Sequence, residues 1–71
     1  MKGKVLWYNW DKKYGFCFLE SNVMKTYFIH ASNIISTDNP KKPLTANDKI
    51  EFDVGHGPDG REVAINIRKV N

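Results

Sequence analysis

Residues 12–18 read KKYGFCF. Tyr14, Phe16 and Phe18 recur at every second position, Gly15 and Cys17 fall between them, and two lysines stand in front. A period of two is that of a β-strand, whose side chains alternate between faces. Three rings therefore share one face of this strand, while Cys17 and the following Leu19 share the other. Which face points into the core decides the fold and the character of the surface.

The chain has 71 residues, close to the lower limit for a self-sufficient hydrophobic core, and reads as one domain over 1–71. One cysteine and two distant histidines give neither a disulfide nor metal-ligand spacing, so no metal or other cofactor is expected. Hydrophobic burial has to hold such a fold, and an aromatic ring left outside calls for a reason. The lone Cys17, the absence of a signal-peptide pattern after Met1 and the absence of a long apolar run predict a reducing, cytoplasmic setting and no membrane partner. A formal net charge of +3 favours polyanionic partners.

Outward from 12–18 the chain alternates short strand signals with turns. KGKVLWYNW at 2–10 is rich in strand formers and is followed by a turn at DKK, 11–13. YGFCFLE at 14–20 forms the second strand, SNVMK at 21–25 a loop, and TYFIHA at 26–31 the third strand. Residues 32–48 form a longer loop punctuated by Asp38, Asn39, Pro40 and Pro43, with Ile34, Ile35 and Leu44 expected to pin it to the core. KIEFDVG at 49–55 alternates charged with apolar residues as a fourth strand. A Pro-Asp-Gly turn lies in 56–60, and REVAINIRKV at 61–70 gives the fifth strand. Five short antiparallel strands have to cover their edges, which a five-stranded all-β barrel of the OB type does. Its inward set is expected to be Val5, Cys17, Leu19, Tyr27, Ile29, Ile34, Ile50, Phe52, Val54, Ile65 and Ile67.

On that assignment Tyr14, Phe16 and Phe18 point outward. The third strand splits in the same way, with Tyr27 and Ile29 on one face and Phe28 and His30 on the other. Trp7 extends the outer patch, although Trp7, Tyr8 and Trp10 share a face only if a bulge shifts the alternation. Exposed rings flanked by Lys4, Lys12, Lys13 and Lys25 suit unpaired nucleic acid: bases stack on rings and cations follow the phosphates. Each stacked base is worth about 1–3 kcal/mol.

These residues carry a resemblance. GKVLWYN at 3–9 resembles the GKVKWFN of bacterial cold-shock proteins, KKYGFCF resembles their first ribonucleoprotein motif KGFGFI, and YFIHASNI at 27–34 resembles their second, VFVHxSxI. With Leu44, Phe52 and the Ala-x-Asn-Ile at 64–67, the likeness runs from Lys2 to about Val70. It implies an OB barrel that binds single-stranded RNA or DNA with little sequence preference and acts as an RNA chaperone. Carried over by position, it puts stacking residues at Trp7, Tyr14, Phe16, Phe28 and His30, Lys12 near phosphate and Asn9 beside the bases. Tyr8 takes the place of the family's phenylalanine after the tryptophan. Leu6 replaces a lysine, Thr26 an acidic residue, and Ala31 stands where many members add an aromatic. Trp10 and Phe18 are the candidates to widen the platform in compensation.

Cys17 reads as a small buried hydrophobe. His30, His56 and the scattered carboxylates form no catalytic constellation, so neither an enzyme nor a small-molecule substrate is expected. Two readings stand: a monomeric single-strand binder, and an OB module whose aromatic face docks a protein.

Overall fold

The computed structural model describes residues 1–70. Five long strands build a closed barrel: β1 (Lys2–Asn9), β2 (Tyr14–Leu19), β3 (Asn22–His30), β5 (Lys49–His56) and β6 (Glu62–Lys69). A short β4 (Ile34–Ser36) follows a single 3₁₀ turn at Ala31–Asn33. The sheet order is β3-β2-β1-β5-β6-β4, and a bridge between β3 and β6 at Phe28 and Val63 closes the barrel. The β1–β2, β2–β3, β1–β5 and β5–β6 pairs are antiparallel, and the closing bridge is parallel, as the OB arrangement requires.

The centre of the core is the expected one: Val5, Cys17, Tyr27, Ile29, Ile50, Phe52 and Ile67 are buried, together with Leu44. Leu19, Ile34 and Val54 pack against it half-buried. Cys17 pairs across the sheet with Tyr27, and burial pushes its thiol pKa up to about 12.

Five expectations give way. Residues 34–36, expected within the loop at 32–48, form β4 and pair with β6. The 21–25 loop is mostly strand: a tight turn at Glu20–Ser21 suffices, because strand-forming Val23 continues β3 and the Asn22 side chain accepts the Met24 amide at 3.1 Å. The third strand ends at His30, one residue early, where the His30 side chain caps the 3₁₀ turn. Ile35 is exposed instead of pinning the loop, since in β4 it alternates with Ile34, the residue that faces the core. Ile65 is only half-buried, and the buried place beside it belongs to Ala64.

The last change has a backbone cause. Asn66 adopts a left-handed φ of 51°, and the β5–β6 register jumps between Glu51 opposite Arg68 and Asp53 opposite Ile65. One extra residue in β6 shifts the alternation, so Ala64 and Ile67 both point inward although they are three positions apart.

Candidate functional site

A second bulge places the aromatic residues of β1. Val5 pairs with Cys17, but Trp7 pairs with Phe16, leaving Leu6 as the extra residue. Strict alternation from Val5 would have buried Trp7. The bulge leaves Leu6 at solvent, turns Trp7 outward onto the face of Phe16, and turns Tyr8 inward opposite Gly15. Gly15 makes this possible: a Cβ there would run into the Trp7 carbonyl oxygen and lie 2.8 Å from the Tyr8 Cα.

On the outer face four rings form a closed circuit. Trp7 meets Tyr14 edge-on at 5.5 Å between ring centres and Phe16 at 5.4 Å. Phe28 meets Tyr14 at 5.9 Å and Phe16 at 5.6 Å. These separations are those of attractive aromatic pairs, so the rings hold one another in place while Trp7 keeps 40% of its surface exposed.

His30 is the cross-strand neighbour of Tyr14 and is exposed. Its Nδ1 accepts the Ser32 backbone N–H at 3.2 Å and lies 2.9 Å from the Ser32 hydroxyl. An accepting Nδ1 leaves the proton of a neutral ring on Nε2, as a donor facing away from the turn. Asn9 works within the β1–β2 turn: its Oδ1 accepts the amides of Asp11 at 3.0 Å and Lys12 at 2.9 Å. Lys12 and Lys13 are thereby held, exposed, beside the Tyr14 end of the circuit. At the far end Lys4 stands opposite Phe18. Lys25 is tied to Glu62 by an ion pair of 3.0 Å, which raises its pKa through the hydrogen bond and the charge.

Three aromatic candidates lie outside the circuit. Tyr8 packs against the core, and its hydroxyl is buried without a partner among the described residues, a burial that raises its pKa. Phe18 continues the outer face between Lys4 and Thr26 but makes no ring pair among the described residues. Trp10 belongs to the long loop: its indole N–H donates to the Leu44 carbonyl at 2.8 Å, and the Lys42 ammonium sits 4.7 Å over its ring.

A groove of about 830 Å³ opens beside the circuit. Phe16, Phe28 and His30 line one side, and Pro58, Arg61 and Val63 line the other. The far wall was missed in sequence because 56–60 signals only a turn. The β3–β6 closure is what carries it across to Phe28. No group of three His, Cys, Asp or Glu residues among those described could hold a metal ion, and no helix among them is long and apolar enough to cross a membrane.

Comparison with known proteins gives consistent matches. A family model described as the 'Cold-shock' DNA-binding domain matches residues 1–70. The chain is 40% identical over 68 residues to the major cold shock protein of Micrococcus luteus, covering 96% of each. It is 40% identical over 60 residues to the cold shock-like protein CspI of Escherichia coli K12, covering 84% of this chain and 81% of that one. It is 37% identical over 65 residues to cold shock protein 1 of Arabidopsis thaliana, covering 92% of this chain and 21% of the plant protein. The chain thus spans about a fifth of that relative's length.

Proposed function

The chain belongs to the cold-shock domain family, and from that membership we propose that it binds single-stranded RNA or DNA by stacking bases on Trp7, Tyr14, Phe16 and Phe28. The observation that carries this reading is the four-ring circuit, with separations of 5.4 to 5.9 Å, on the outer face of β1, β2 and β3. Rings already held by one another lose little freedom when a base arrives, so stacking energy is not spent on ordering them.

In this reading His30 extends the platform and donates from Nε2, while Lys4, Lys12 and Lys13 follow the phosphates. Phe18 serves as an outlying contact. Asn9 acts through the turn that presents Lys12, and Tyr8 packs against the core on the face of β1 opposite Trp7. Stacking on ring faces tolerates any base, so affinity depends little on sequence. A protein that holds strands unpaired opposes weak secondary structure, which is the work of an RNA chaperone. The reading assigns no catalytic step and takes the protein to act in the cytoplasm as a monomer, a single 1–71 domain.

A heptameric oligothymidine titrated at several salt concentrations, followed by tryptophan fluorescence, tests it. Quenching with saturable binding is expected. With three lysines on phosphate, the slope of log affinity against log salt is roughly −2. An unchanged spectrum together with no binding in an independent assay overturns the proposal.

A further inference from the structure

We infer that the groove between Phe28 and the β5–β6 turn is a base-reading seat that favours guanine, its edge recognised by Glu62 and Arg61. This rests on the single-strand reading above and assigns one position along the bound strand where the general tolerance fails.

The seat is preformed. The Gly57 amide donates to the Arg61 carbonyl at 2.8 Å and the Gly60 amide to the Gly57 carbonyl at 2.9 Å. Gly60 supplies a left-handed φ of 84° that side chains seldom adopt, and Pro58 fixes its own φ. Asp59 locks the turn further, with one oxygen accepting the Arg61 amide at 3.1 Å and the other pairing with Arg61 Nε at 3.0 Å. The wall facing Phe16 and Phe28 is therefore a rigid turn. The gap has apolar walls and polar groups at its rim, which suits a flat ring with a hydrogen-bonding edge.

The rim selects the edge. Glu62 Oε1 is taken by Lys25 at 3.0 Å, while Oε2 has no hydrogen-bond partner among the described residues. Phosphate is disfavoured here, because Asp59 and Glu62 balance the charges of Arg61 and Lys25 and leave no net positive charge. A carboxylate accepts hydrogen bonds and cannot donate. Guanine offers it two adjacent donors, N1–H and the 2-amino group, and its O6 is left for the Arg61 guanidinium. Thymine and uracil offer one N–H set between two carbonyl oxygens, which a carboxylate repels. Adenine and cytosine set one amino donor beside a ring-nitrogen acceptor and so give the carboxylate a single hydrogen bond; guanine alone gives the carboxylate two donors and the guanidinium an acceptor.

The experiment is a set of thymidine heptamers carrying one guanine, adenine, cytosine or inosine at each position in turn, titrated against the intact protein and against Glu62→Gln. Glu62 is about half exposed, so the gain sits at the low end for paired base contacts, about five-fold tighter binding than all-thymidine at one register. Inosine lacks the 2-amino group and loses that gain in the unmodified protein, and Glu62→Gln brings the guanine-to-thymine ratio close to one. If the heptamers bind but guanine lies within two-fold of thymine everywhere, or adenine or cytosine matches or exceeds it, the seat is refuted and the stacking reading survives. If no heptamer binds, the stacking reading falls and the seat falls with it.

Discussion

Phe28→Ala is the sharpest perturbation of the platform, because Phe28 touches two rings of the circuit and also lines the groove. A stacked base contributes about 1–3 kcal/mol, so losing one ring lowers oligothymidine affinity by about 5- to 150-fold at RT near 0.6 kcal/mol. The same change removes two aromatic pairs at about 0.5–1.5 kcal/mol each, a stability loss of about 1–3 kcal/mol. The two effects have to be separated. Binding is therefore measured by fluorescence titration at a temperature where far-ultraviolet circular dichroism shows the variant folded, with its melting curve recorded alongside. Because Trp10 is engaged with Leu44 and Lys42, the quenching signal is assigned to Trp7. A folded Phe28→Ala that binds oligothymidine within two-fold of the parent would refute the platform as the source of affinity.

Four further outcomes follow from particular contacts. Tyr8→Phe removes a buried hydroxyl that has no partner and raises stability by about 1 kcal/mol in chemical denaturation. Gly15→Ala forces a methyl group onto the β1 backbone and costs at least about 3 kcal/mol, or prevents folding, as a melting curve would show. Trp10→Phe gives up the bond to Leu44, speeds amide exchange in 37–48 at a cost of about 0.5–1.5 kcal/mol, and leaves nucleic-acid quenching intact. Folded Cys17 keeps its proton up to about pH 12, whereas an unfolded thiol releases it near 9. The folded state thus binds more protons between those values, and the parent loses stability relative to Cys17→Ala as pH rises above 9, by up to about 1.4 kcal/mol per pH unit.

Alternation made β2 and β3 legible, because both run regularly where the rings lie: Phe16 meets Phe28 across the sheet while Cys17 meets Tyr27 beneath. It failed in β1 and β6, where a bulge adds one residue and reverses every side chain beyond it. Nothing local marks Leu6 as the extra residue, and Asn66 is marked only as a residue type that tolerates a left-handed φ. Their conformations are set by partners far along the chain, Cys17 and Phe16 for the first and β5 for the second. The groove's far wall was hidden for a related reason. PDG announces a turn from its own residues, but its position against Phe28 depends on barrel closure, a contact between strands distant in sequence. Trp10 was ambiguous until its indole could be placed against Leu44.

The distribution of aromatic residues shows what this chain does with scarce apolar surface. It has two tryptophans, three tyrosines and four phenylalanines, yet only Tyr27 and Phe52 among them lie in the core. A small barrel selected for stability alone would draw more rings inward, since burial is its main stabilising term. Here Trp7, Tyr14, Phe16 and Phe28 recover part of that term from one another and still present surface to solvent. The bulge at Leu6 serves both ends at once: the shift that brings Trp7 out to Phe16 sends Tyr8 in against the core, and Gly15 leaves room for both. Core and platform are consequently two faces of one register, so a substitution that slips β1 against β2 should lose stability and the four-ring circuit together.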